Sequence, residues 1–71
     1  MPTLEQYLTQ IEEATRKSQA SGFSTCVEAP DGSEVSAYLH GYQRLHFRVD
    51  RDGENLLRGT RRFDGVFERI A

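Results

Sequence analysis

The sequence predicts an α+β fold in which one N-terminal helix packs on an antiparallel β-meander of four or five strands. An amphipathic stripe at helical spacing occupies residues 3–20. Two runs of alternating apolar and polar residues follow between Ser33 and Asp50, as expected for a half-buried strand pair. Asp-Gly pairs, which favour tight turns, begin at residues 31, 52 and 64. A chain of 71 residues has room for one domain, spanning residues 1–71.

The helix is expected over residues 3–20, with a defined signal at each end. Thr3 and Gln6 fit a capping box, in which each side chain bonds the other residue's backbone N–H. Gly22 suits the position after the last turn, because glycine adopts positive φ without strain. The side chains expected to face the sheet are Leu4, Tyr7, Leu8, Ile11 and Ala14, with Thr15 and Ser18 as borderline members. This narrow stripe can cover one face of a sheet and little more.

Alternation from Phe23 to Ala29 predicts the first strand, and the turn at residues 30–32 leads into the central hairpin. The apolar side of that hairpin consists of Val35, Ala37, Leu39, Leu45, Phe47 and Val49. Residues 41–43 form its link. We therefore expect these apolar residues to lie under the helix and the alternate residues to face away from it.

The second Asp-Gly pair predicts another hairpin, with a fourth strand from Glu54 to Phe63. Because Leu56 and Leu57 are adjacent, either one of them faces outward or a β-bulge lies nearby, and Gly59 is a candidate place for it. Residues 66–70 predict a last short strand, with a short helix capped by Asp64 as the alternative.

Composition limits the classes of function. The formal net charge is −2, which argues against a dedicated nucleic-acid binder, although residues 44–71 hold seven Arg against five acids. No apolar run is long enough to span a membrane, and the N-terminus does not resemble a signal peptide. A single cysteine fits a reducing cytoplasm and rules out an internal disulfide. The sequence therefore predicts a soluble cytoplasmic domain.

Residues capable of chemistry are few and scattered. His40 and His46 share a predicted face, but a metal site needs a third ligand, so no metal is expected. Cys26 lies neither at a helix start nor beside a base, and we expect it to be a buried or half-buried structural residue. The chain has no glycine-rich phosphate loop, and no cofactor is expected. These features predict a protein that is not an enzyme.

The open sheet face is the strongest candidate for function. Its predicted residues are Tyr38, His40, Tyr42, Arg44, His46 and Arg48. Tyr and Arg are enriched at protein interfaces, so we predict a small protein-binding module that acts as a regulator or inhibitor. The alternative is a nucleic-acid-binding module that uses Arg58, Arg61 and Arg62 on the C-terminal strands. A homodimer closed through a strand edge or sheet face is a third hypothesis.

The size and economy of the chain are typical of small accessory proteins. These include proteins of bacteriophages and mobile elements such as anti-CRISPR proteins. That likeness is one of size and style, and no family is recognised from the residues. No motif in the sequence identifies a reaction or a partner.

Overall fold

The computed structural model describes residues 3–40, 44–62 and 65–70. A 3₁₀ turn at Leu4–Tyr7 runs directly into helix α1, Leu8–Ser21. The strands are β1 (Thr25–Glu28), β2 (Glu34–His40), β3 (Arg44–Arg51), β4 (Glu54–Arg61) and β5 (Phe67–Ile70). This arrangement confirms the predicted helix on an antiparallel meander.

The helix begins and ends where local chemistry predicts. Thr3 donates its backbone N–H to Gln6 Oε1 at 2.8 Å, and Gln6 N–H donates to Thr3 Oγ1 at 3.4 Å, which completes the capping box. Gly22 adopts the left-handed conformation with φ 77°, and its N–H donates to Ser18 O. Ser18 Oγ in turn donates to Phe23 O at 2.9 Å, which fixes the exit of the chain toward the sheet.

The five strands form one sheet in the order β1-β2-β3-β4-β5, with every neighbouring pair antiparallel. A two-residue turn joins β3 to β4, with φ 52° at Asp52 and φ 81° at Gly53. Positive φ at both central residues is the type I′ geometry that matches the twist of a hairpin. Residues Phe67–Ile70 form a strand, so the strand alternative for the C-terminal segment is confirmed.

A register shift in the β3–β4 pair accounts for the two adjacent leucines. Val49 pairs with Leu57, whereas Asp50 pairs with Asn55, so Leu56 is the extra residue of a bulge. Leu57 is buried in the core and Leu56 packs against it partly buried. The bulge therefore lies beside Leu56 and not at Gly59.

Gly59 has a different role, since it lies under the ring of Phe47. A Cβ at this position would be 2.5 Å from Phe47 Cζ and would also collide with the backbone carbonyl of Glu68. The ring of Phe67 meets Phe47 edge-on, with centroids 5.8 Å apart. The fully buried Phe47 thus fills the space that a side chain at residue 59 would take.

The core lies between α1 and one face of the sheet, as predicted. Its buried apolar residues are Tyr7, Ile11, Ala14, Ala29, Val35, Ala37, Leu45, Phe47, Val49 and Leu57. The helix packs mainly on β1 and β2 and only marginally on β3. Across the described ranges, no helix has the length and apolarity needed to cross a membrane.

Two sequence-based expectations about β1 are wrong. Phe23 lies before the strand and is 77% exposed, because the helix C-terminus holds its carbonyl and pairing starts only at Thr25. Cys26 is exposed and not buried, because it points away from α1 on an edge strand. At the other end of the sheet, β4 stops at Arg61. The expected strand end, Phe63, is outside the described residues.

Candidate functional site

The face of the sheet that points away from α1, here called the outer face, is not covered by any described element. Val35, Ala37 and Phe47 are fully buried on the side of the sheet that α1 covers, which confirms the predicted assignment of the two faces. Leu39, which was expected to lie under the helix with them, is instead 40% exposed near the end of β2. Strand alternation then places the residues between them on the outer face. The predicted residues Tyr38, Arg44, His46 and Arg48 all lie there.

A stacked ring pair lies on the outer face, toward the end of β2 and the start of β3. Tyr38 and His46 are directly opposed across β2 and β3, with ring centroids 5.4 Å apart and planes 15° from parallel. Cross-strand aromatic pairs stabilise a sheet by a few tenths to about 1 kcal/mol. Because each ring is held against the other in the folded protein, the stack presents a pre-ordered, amphipathic surface.

Arg48 is held in place by a carboxylate. Its Nε and Nη2 donate to Asp50 Oδ2 and Oδ1 at 2.8 and 3.0 Å, a bidentate contact between residues on the same face of β3. Asn55 Nδ2 also donates to Asp50 Oδ1 at 3.2 Å. Partial burial raises the pKa of Asp50, but these hydrogen bonds outweigh it, so the net pKa is lowered. The hydrogen bond with Asp50 raises the pKa of Arg48.

Arg58 lies directly opposite Arg48 on the next strand. Arg48 is neutralised by Asp50, whereas neither Arg58 nor Arg44 has an ion-pair partner among the described residues. Like charges on opposed residues of a sheet are unfavourable in the free protein. Within the described residues, Arg58 is therefore an unpaired cation on the outer face, on the strand next to His46.

Acidic residues occupy one end of the outer face. Glu28, Glu34 and Asp50 follow one another across β1, β2 and β3 in register. Cys26 Sγ donates to Glu34 Oε1 at 3.0 Å and is 3.2 Å from Ser36 Oγ. The hydrogen bond to the Glu34 carboxylate raises the pKa of Cys26, which disfavours the thiolate needed for nucleophilic chemistry. Strand β2 also separates Cys26 from His46.

Not all the predicted site residues come together. His40 ends β2 opposite Arg44 in the strand register, and Tyr42 lies outside the described residues. Among the arginines of the alternative site, Arg58 is on the outer face, but Arg61 lies three residues further along β4 and points to the other face. Arg62 follows the end of β4, where its backbone N–H donates to Val66 O at 2.8 Å.

Asn55 is the residue of this surface that sequence reasoning missed. Its side-chain amide donates to Val49 O, Leu57 O and Asp50 Oδ1, so it closes the bulge and anchors the Arg48–Asp50 pair. The only sequence signal for this role is its place just before the two adjacent leucines. Within the part of the chain that the structure describes, no group of three His, Cys, Asp or Glu residues could hold a metal ion.

Comparisons with known proteins give no match for this chain, whether with protein-family models, curated protein sequences or solved structures.

Proposed function

We propose that this protein is a non-enzymatic protein-binding module that acts as a regulator or inhibitor through its outer face. The observation that carries the proposal is an uncovered sheet face on which the Tyr38–His46 stack lies between Arg44 and Arg48, with a row of carboxylates beyond Arg48. In this proposal the protein works in the cytoplasm, needs no cofactor, and is an accessory protein of the kind that phages and mobile elements encode.

The charge pattern of the outer face favours a protein partner over a nucleic acid. A phosphate backbone requires a continuous track of unpaired cations. Here Asp50 neutralises Arg48, and Glu28 and Glu34 add negative charge at the same end of the face. Mixed charges around an aromatic centre are instead typical of the polar rim and anchored middle of a protein interface.

The dimensions of the domain also fit such an interface. The two longest extents are 29 and 22 Å, which bound the flat outline of the sheet at roughly 600 Å². A standard interface buries about 800 Å² of accessible surface per partner. Side-chain relief makes the accessible area of a face larger than its outline, so the whole outer face is sufficient for one specific contact.

The experiment compares three proteins as bait: wild type, the outer-face variant Tyr38→Ala/Arg58→Ala, and the control Glu5→Ala/Gln10→Ala on the solvent side of the helix. Arg58 is preferred to Arg48 because it does not support the bulge. A partner recovered by wild type and control is then purified, and its affinity for each protein is measured by calorimetry.

We expect the outer-face variant to bind at least about thirtyfold more weakly, since two interface anchors each contribute on the order of 1–2 kcal/mol. Equal affinities of the three proteins for every purified partner would mean that another surface makes the contact. Circular dichroism of each variant before the binding measurement verifies that the sheet is intact.

Nucleic-acid binding remains the second candidate, because Arg48 and Arg58 are neighbours on an open sheet. Affinity for a mixed-sequence oligonucleotide across a salt series separates the two functions. Micromolar binding with a steep salt slope would favour nucleic acid, and no binding at about 50 mM salt would remove it. Light scattering tests the homodimer, since a monomer has a mass of 8.1 kDa.

A further inference from the structure

A second site is independent of the outer face. Because α1 packs mainly on β1 and β2, a surface groove of about 260 Å³ remains between the helix and the hairpin of β4 and β5. Arg16 and Gln19 line it from the helix, and Arg61, Gly65 and Phe67 line it from the hairpin. Neither the aromatic stack nor the Arg48–Asp50 pair contributes to it.

Two guanidinium groups from different elements face this groove. No described acidic side chain forms an ion pair with Arg16 or Arg61. The ion pair on the helix joins Glu13 and Lys17 instead. Two arginines on opposite walls of one groove repel each other unless an anion lies between them. Guanidinium donors match carboxylate oxygens in bidentate geometry, so a carboxylate is the group that the pair recognises best.

The wall beside these cations is apolar. Phe67 is only partly buried, with its ring edge-on to Phe47 of the core. An apolar group of a ligand that covered the exposed part of Phe67 would extend the hydrophobic core onto the part of the sheet that the helix does not cover. Because burial of apolar surface is favourable, an apolar group on the ligand adds affinity that a bare anion lacks.

Gly65 lines the groove beside Arg61. Its φ of 85° is a backbone conformation that favours glycine, and a Cβ there would be 3.5 Å from Arg61 Nη2, an ordinary van der Waals distance. The turn at Gly65 thus brings the backbone close to the guanidinium group of Arg61.

We propose that this groove binds a small organic carboxylate that carries an aromatic or aliphatic group. Glu12 also lines the groove, so the site has two cations and one anion. This balance favours a monoanion over a phosphate dianion, which the Glu12 carboxylate would repel. The carboxylate pairs with Arg16 and Arg61, and the apolar group lies against Phe67.

The test is an amide NMR titration of the full chain with phenylacetate, with neutral phenylacetamide and inorganic phosphate as comparison probes. We expect phenylacetate to cause saturable shifts in residues 15–19 and 65–67. Phenylacetamide and phosphate should each bind at least about tenfold more weakly, because the charge-assisted hydrogen bonds are absent or opposed. Acetyl-phenylalanine, which imitates a peptide C-terminus, shows whether the carboxylate can come from a chain end.

Variants then assign the site. Arg16→Gln and Arg61→Gln should each weaken phenylacetate binding about tenfold, whereas Arg44→Gln on the outer face should leave it unchanged. All three residues are exposed, so the fold should persist, and the amide spectrum verifies it. Equal binding of the acid and its amide, equal loss in the Arg44 control, or no saturation up to about 50 mM would overturn the proposal.

Discussion

Replacing Gly59 with alanine tests the packing at the centre of the sheet, because the structure predicts both the sign and the size of the change in the free energy of unfolding. In a strand where the new methyl group fits, glycine to alanine stabilises a protein by about 0.4–1 kcal/mol through the unfolded state. At residue 59 the added Cβ would lie 2.5 and 2.9 Å from Phe47 Cζ and Cε1 and would also meet Glu68 O. Phe47 is fully buried and Glu68 O is backbone, so neither can move freely.

The expected cost of Gly59→Ala is about 2–3 kcal/mol, the upper part of the range of about 1–3 kcal/mol for overpacking a filled core, because one of the clashes is with backbone. A domain of this size has a total stability on the order of 4–10 kcal/mol. Urea denaturation measures the change directly. With a slope near 1 kcal/mol per M for a chain this small, the midpoint should fall by about 2–3 M.

A double-mutant cycle with Phe47→Leu identifies the contact responsible. Leucine shortens the side chain at the point of collision, so the double variant should be about 1 kcal/mol more stable than the sum of the single changes. The clash with the Glu68 carbonyl remains, so full rescue is not expected. A Gly59→Ala protein as stable as wild type, or strictly additive changes, would refute this account of the glycine.

Four further substitutions test three separate parts of the fold. Tyr7 Oη donates to Asp31 Oδ2 at 2.6 Å, and this hydrogen bond is the main cause that lowers the pKa of Asp31 to about 2. Tyr7→Phe should therefore move that pKa toward 3.8, as measured by a carboxyl NMR titration. Because the pKa of Asp31 is lower in the folded state than in the unfolded state, its ionised carboxylate stabilises the fold at pH values above the unfolded-state pKa. This stability is lost as the pH falls from about 4 through 2, so Asp31→Asn should remove the loss in acid denaturation. Gly53→Ala should cost about 1–2 kcal/mol at φ 81°, as measured by thermal unfolding. Phe23→Ser should change stability by less than about 0.5 kcal/mol, because the ring is 77% exposed.

Features with local causes were predictable from the sequence. The capping box at Thr3 and the left-handed Gly22 depend on neighbours within five residues. The hairpin at residues 52–53 depends on two residues that tolerate positive φ. The faces of β2 and β3 follow from alternation alone, since a shift of one residue would expose Val35 in β2 or Phe47 in β3 and would bury charged side chains.

The features that were missed depend on tertiary packing. The alternation in β1 correctly placed Cys26 on the outer side, but cysteine is a residue type that is often buried, so burial was expected. Cys26 is exposed because it lies on an edge strand whose outer side is not covered by any described element. Arg58 and Arg61 look like one basic cluster in the sequence, yet their spacing within β4 places them on opposite faces. The groove at Arg16 and Arg61 depends on how far the helix extends across the sheet, which no local pattern specifies.

The bulge links the core to the outer face, so the geometry of the candidate site is not independent of folding. On one side of the sheet the extra residue Leu56 brings Leu57 into the core. On the other side the amide of Asn55 bonds Val49 O, Leu57 O and Asp50 Oδ1, and Asp50 in turn fixes Arg48. A straight ladder would remove the position from which one amide reaches all three acceptors. The orientation of Arg48 on the outer face is therefore set by the packing of the opposite face, although no described element covers the face on which Arg48 lies.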